Sequence, residues 1–205
     1  MKYSYAPQKE VTMVNLWCLN IINSVQKSLS EYFTCDIRLV GSGEKRMVTM
    51  DDSGVFDLDY NLVIQKDKQK IISSPKMVKK LFIESFEREL QNAVNGYKSI
   101  TDSSSVVKNI ITFKDGNSIK FDVAIIMEIN GTLCRFMHDK QHDSYTWNQI
   151  PNSKNYKQRF VRIKKNKDFG NFKKRYLFLK NMHSQRKDEV ESFSIFLEAL
   201  SEFEE

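Results

Sequence analysis

Phe56-Asp57-Leu58-Asp59-Tyr60-Asn61-Leu62-Val63-Ile64 is the stretch on which the fold turns. Alternating aromatic and aliphatic residues give it the period of a β-strand. Successive strand side chains point to opposite faces, so Phe56, Leu58, Tyr60, Leu62 and Ile64 share one face, and Asp57, Asp59 and Asn61 share the other. Asp is disfavoured in strands, because its carboxylate competes for backbone groups and resists burial. Two such groups about 7 Å apart on one face also repel each other. A divalent cation is the commonest reason for a chain to keep that arrangement, and Mg²⁺ or Mn²⁺ suits oxygen ligands of this type.

Two neighbouring features extend the pattern. Upstream, Asp36-Ile37-Arg38-Leu39-Val40 reads as a strand that runs into Gly41-Ser42-Gly43. Such a turn can offer backbone N–H groups and a hydroxyl to a phosphate. Lys45 and Arg46 stand ready to add positive charge there, or to face solvent. Downstream, Lys120-Phe121-Asp122-Val123-Ala124-Ile125-Ile126 carries a single Asp inside another apolar strand.

A Gly-Ser turn, an Asp-x-Asp strand and a later strand Asp, in that order, resemble the DNA polymerase beta-type nucleotidyltransferase superfamily. The matching residues are Gly41-Ser42, Asp57-Leu58-Asp59 and Asp122, and the resemblance covers roughly residues 35 to 127. In finer detail Leu39-Val40-Gly41-Ser42-Gly43, Arg46-Met47-Val48-Thr49 and Asp57-Leu58-Asp59-Tyr60-Asn61-Leu62 look like small, largely uncharacterised nucleotidyltransferase-like proteins of Firmicute bacteria. Three departures stand out: the connection from Gly-Ser to Asp-x-Asp is longer than in many members, Glu44-Lys45-Arg46-Met47 lacks the second Gly that many of them carry, and Tyr60 stands where an aliphatic residue is usual.

The resemblance implies an α+β fold, a mixed sheet flanked by helices with a small C-terminal helical extension. It implies transfer of a nucleoside monophosphate from an NTP to an acceptor hydroxyl, with RNA, a protein side chain, a small molecule or a nucleotide as acceptor. Asp57, Asp59 and Asp122 would then be both catalytic and metal-binding. Gly41, Ser42 and Lys45 would hold the triphosphate, and Asp122 would take the acceptor's proton. Asn61 either orients a carboxylate or is simply polar on the cleft side. The alternative is a module that keeps the fold without turnover and binds nucleotide, RNA or a protein partner.

The rest of the chain sets limits. Its 205 residues are 40% hydrophobic and 12% aromatic, enough for a sizeable core. A net charge of +6 permits an anionic partner. No apolar run approaches the roughly 20 residues that span a membrane, and Met1–Tyr5 shows no leader pattern. Cys18, Cys35 and Cys134 are odd in number and far apart, which fits reduced thiols in a cytoplasmic protein. His138 and His142 have helical metal-ligand spacing, but they lie in a loop-like stretch without an intervening Glu, and read as surface residues.

Periodicity predicts helices over 10–33, 74–94, 154–166, 170–183 and 187–203, with Ser74-Pro75 opening the second and Asn95-Gly96 stopping it. It predicts a hairpin over 105–127 turning at Asp115-Gly116, a second tight turn at Asn130-Gly131, and a loop over 138–155. The domain expectation is a core over 1–140 and a helical extension over 141–205. The cations between Lys154 and Arg175 are either a solvated helical face or a wall that neutralises phosphates.

Overall fold

The computed structural model describes residues 2–93, 97–113, 118–151, 154–166 and 168–203. Along the chain run β1 (Ser4–Tyr5), α1 (Gln8–Ser28), β2 (Phe33–Val40), α2 (Gly41–Lys45), β3 (Thr49–Met50) and β4 (Asp57–Asp67). A 3₁₀ turn (Ile71–Ser73), α3 (Pro75–Ala93), β5 (Tyr97–Asp102), β6 (Val107–Thr112) and β7 (Ser118–Ile129) follow. The rest comprises β8 (Thr132–Asp139), β9 (Ser144–Gln149), α4 (Lys154–Lys165), α5 (Phe169–Arg186) and α6 (Ser192–Ser201). The chain forms two compact units: Pro7–Val48 with Val55–Ile150, and Met1–Ala6 with Thr49–Gly54 and Pro151–Glu205.

The larger unit is built on one mixed sheet ordered β2-β4-β7-β6-β5, with β8 pairing β7 and β9 pairing β8. All neighbours are antiparallel except β4 and β7, which run parallel. A parallel neighbour requires a crossover, and α3, β5 and β6 supply it. The apolar parity of β4 is sealed: Leu58, Tyr60, Leu62 and Ile64 are all buried. Tyr60 Oη donates to Asn15 Oδ1 of α1 at 2.8 Å, so the ring fills an aliphatic slot and its hydroxyl still finds a partner. Phe82 of α3 stacks on Phe33 at 5.6 Å, and Phe86 meets Phe121 at 6.3 Å. Cys18, Cys35 and Cys134 are unpaired and buried, and burial pushes the Cys18 and Cys35 thiols up to about 12.

Two sequence expectations need correction, and two lie outside the described residues. The first helix ends at Ser28, and Phe33 belongs to β2 rather than to the helical stripe. The loop expected over 138–155 contains β9. There Tyr145 and Trp147 pack on Phe136 at 5.9 and 5.7 Å, while the polar Thr146 and Asn148 take the opposite parity. Trp147 Nε1 donates to Ile72 O at 3.2 Å, which fixes that strand. The expected stop at Asn95-Gly96 and the turn at Asp115-Gly116 lie outside the described residues.

In the smaller unit, Phe160, Phe172 and Phe196 from α4, α5 and α6 meet at 5.2–5.6 Å. Some of its cations lie over aromatic rings: Lys164 over Phe160 at 4.9 Å, Lys173 over Tyr5 at 4.2 Å and Lys180 over Tyr3 at 4.5 Å. No described helix of either unit is long and apolar enough to cross a membrane.

Phe82 is fully buried and Leu16 of α1 is 58% exposed. Phe82→Ala is therefore expected to cost about 3–5 kcal/mol in urea denaturation, and Leu16→Ala to stay within about 0.5 kcal/mol of wild type. Similar losses at both positions would mean that α3 does not seal the sheet as described.

Candidate functional site

The parallel register of β4 and β7 sets Asp59 beside Asp122, with Asp57 opposite Lys120 and Asn61 opposite Ala124. Paired residues on neighbouring strands project to the same face, and so do residues two apart on one strand. Asp57, Asp59 and Asp122 thus all lie on the face that α1 and α3 leave uncovered at β4. Asp57 is exposed, while Asp59 and Asp122 are partly buried.

The end of β2 brings the Gly-Ser turn to the same place. Val40 pairs with Asp59, and the chain turns at once into α2. Gly41 has φ +64°, a left-handed conformation that costs glycine little. A Cβ built there would collide with Asp59 Oδ2, so the bare backbone of Gly41 lies directly against the carboxylate. Gly43 is tight for another reason: its Cβ would meet Leu39 Cδ1 at 2.9 Å. Lys45 Nζ donates to Gly41 O at 2.9 Å and Met47 N donates to Ser42 O at 2.9 Å, closing the turn with Ser42 half-buried. The Lys45 ammonium is thereby held at the turn instead of extending into solvent.

The crowding of acids shows in their proton affinities. Burial raises the Asp59 pKa, the Asp57 charge raises it further, and Lys45 and Arg135 pull it back. Burial pushes the Asp122 carboxyl up to about 6, Lys108 opposes the rise, and the charges of Asp59 and Asp57 add to it. Lys108 and Arg135 were not singled out from the sequence. Lys108 pairs directly across from Asp122. Arg135 pairs with Ile126, two steps beyond Ala124 on the Asp122 face. The Asn130-Gly131 turn held a usable signal for Arg135, since a two-residue turn sets 129 opposite 132 and hence 126 opposite 135.

Three carboxylates offer the hard oxygen donors that Mg²⁺ or Mn²⁺ takes. Among the described residues, no three His, Cys, Asp or Glu side chains are drawn together as a closed metal-binding set. Mg²⁺ does not require one: it is commonly held by one or two carboxylates with water and substrate phosphates completing its shell. The donor chemistry and the shared face fit such an ion. The histidines do not contribute. His138 stacks on Tyr145 at 4.1 Å with its side chain only 11% exposed, more buried than its sequence suggests. The exposed His142 instead contacts Asp139 Oδ2 at 2.7 Å.

No protein-family model and no curated protein matches the sequence. Solved structures do share its fold. CdnC from E. coli MS115-1 with ATP has a TM-score of 0.57 at 14% identity, over 96% of this chain and 60% of CdnC. The CdnC:HORMA-deltaN complex gives 0.58 at 13% identity, over 98% and 62%. Vibrio cholerae DncV, a cyclic AMP-GMP synthase in complex with the linear intermediate 5' pppA(3',5')pG, gives 0.56 at 12% identity, over 80% and 45%. The chain spans less than two thirds of each of these structures. At these identities the likeness is one of fold: a nucleotidyltransferase-type mixed sheet flanked by helices.

Folding raises the Asp122 pKa from its ordinary 3.8 to about 6, so the folded chain binds that proton more tightly than the unfolded chain does. The stability it confers is present at low pH and is lost as pH climbs from 3.8 to about 6. Without divalent cations, Asp122→Asn is expected to melt about 2–4 °C above wild type at pH 7.5. Near pH 4 the two should melt together. A gap of the same size at both pH values would show that the buried charge is not its source.

Proposed function

We propose that the chain is a metal-dependent nucleotidyltransferase that moves a nucleoside monophosphate from an NTP to an acceptor hydroxyl and releases pyrophosphate. The observation that carries this reading is the pairing of Asp59 with Asp122 where Gly41 presses its backbone against the Asp59 carboxylate. The likeness to CdnC with ATP and to DncV with a linear nucleotide intermediate supports it.

Each residue has a role in that reaction. The Gly41–Gly43 turn and the Ser42 hydroxyl hold the distal phosphates of the NTP, with Lys45 adding charge beside them. Asp57, Asp59 and Asp122 would hold Mg²⁺ or Mn²⁺, whose contribution when bound is to neutralise charge on the attacking and leaving oxygens. The acceptor oxygen bonds to the α-phosphorus, the bond from that phosphorus to the β-bridging oxygen breaks, and pyrophosphate departs. The hydroxyl proton passes to the Asp122 carboxylate.

A second reading, a module that binds nucleotide without turning it over, is favoured by the segment after the Gly-Ser turn, Glu44-Lys45-Arg46-Met47, which lacks the second Gly. Pyrophosphate release separates the two. In the presence of Mg²⁺ or Mn²⁺ and candidate acceptors, wild type should release pyrophosphate from at least one NTP. Asp59→Asn should lose about a hundredfold or more with its circular dichroism unchanged. Nucleotide binding by a wild type that never releases pyrophosphate would establish the module instead.

The phosphate role of Ser42 has its own test. By calorimetry, Ser42→Ala should weaken ATP binding about tenfold and leave AMP, which lacks the distal phosphates, nearly unchanged. Equal losses for the two ligands would reduce Ser42 to a turn residue.

A further inference from the structure

The sheet order places the Gly-Ser turn and the cations Lys108 and Arg135 on opposite sides of the acids. The turn follows β2, which borders β4 on one edge. β6 and β8 both pair along the other edge of β7, the edge turned away from β4. Lys108 therefore stands across from Asp122, and Arg135 projects from β8 on the same face. If the donor's triphosphate is held at Gly41–Ser42, the Asp122 side of the acids is left for the acceptor.

Arg135 has a second peculiarity. Its Nε is buried and has no hydrogen-bond partner among the described residues. A guanidinium is a fixed fork of donors that matches the oxygens of a phosphate. Buried polar groups of folded proteins are nearly always satisfied, so a buried donor without a protein partner calls for an explanation. Ala124 and Ile126, which follow Asp122 on the same face of β7, are buried in an apolar cluster with Val63, so the Arg135 Nε lies beside groups that offer it no acceptor. The guanidinium charge also lowers the proton affinity of Asp59.

We infer that Arg135, with Lys108 farther along the same edge of β7, is a specificity-determining contact for a phosphate carried by the acceptor. This assignment rests on the nucleotidyltransferase reading for the word acceptor. The site itself, an anion contact on the Asp122 side of the cleft, does not depend on turnover. A free nucleotide and the backbone of an RNA end present the same phosphate chemistry, and the two are told apart by experiment.

Binding is measured by calorimetry on the full chain with Mg²⁺ and saturating α,β-methylene-ATP, which keeps the donor side filled. The probes are AMP, adenosine and a four-nucleotide RNA. Wild type should bind AMP, the RNA or both in an Arg135-dependent manner. Arg135→Gln should weaken that binding about tenfold and leave adenosine unchanged, and Arg135→Lys should recover part of the loss by keeping the charge. The ligand with the larger Arg135 dependence names the source of the phosphate. Unchanged affinity of Arg135→Gln for both phosphate ligands overturns the inference. So does an equal loss for adenosine, which would make Arg135 a residue that shapes the pocket or serves only as a counter-ion to Asp59. Melting temperatures of both variants within a few degrees of wild type exclude misfolding as the cause. Absence of pyrophosphate release from wild type would count against the nucleotidyltransferase reading alone, because the binding difference needs no turnover.

Discussion

Everything at the candidate site depends on one register: β4 and β7 run parallel with Asp59 level with Asp122. A slip of one residue would turn Asp122 to the other face, among Phe121, Val123 and the aromatic layer. The slip is prevented by the opposite face. Leu58, Tyr60 and Leu62 on β4 and Phe121, Val123 and Ile125 on β7 are all buried, and any change of register would expose them while burying charge. The apolar face thus supplies the free energy that keeps like-charged carboxylates side by side. Gly41 adds a steric term at the same point, because only a residue without a side chain lets the turn lie against Asp59.

Much of this was legible in the sequence. Parity within Phe56–Ile64 assigns the acidic face of β4 without knowledge of its neighbours, and the lone Asp122 within an apolar run marks the adjoining strand. Local chemistry also placed α3, which opens at Pro75 as Ser74-Pro75 implies. What escaped had a physical reason in each case. Phe33 continues the spacing of Val25 and Leu29 and so reads as helical, but it is drawn into β2 by its stack on Phe82. The β9 segment was hidden because only Tyr145 and Trp147 mark its buried parity, and the face they pack on is contributed by β8. Lys108 was missed through register. A two-residue turn at Asp115-Gly116 would set Lys108 opposite Val123 on the other face, whereas the observed pairing is Thr112 with Ser118 and Lys108 with Asp122.

The cation-rich stretch from Lys154 to Arg175 shows how composition alone leaves a choice open. Within the smaller unit, Phe160, Phe172 and Phe196 form the core. Lys164 and Lys173 set their ammonium groups over the faces of Phe160 and Tyr5, so part of the stretch's charge is held against the unit's own aromatic rings. The cations argued to matter for chemistry, Lys45, Lys108 and Arg135, all come from the other unit.

The crossover between β4 and β7 also has a kinetic meaning. β6 with β7 and β7 with β8 pair over short stretches of chain, whereas β4 meets β7 only after α3, β5 and β6 have been laid down. Non-local parallel pairing must absorb its loop-closure entropy before its contacts reward it, so it tends to form late. The β4 acids and Asp122 of β7 therefore remain apart, in separate solvated segments, through the early events of folding. Their mutual repulsion is met only when the apolar faces of both strands are ready to close over it. Binding competence in this chain is accordingly a late acquisition of the folding reaction, and a partly folded chain with its local hairpins in place would present separate acidic strands and no shared site.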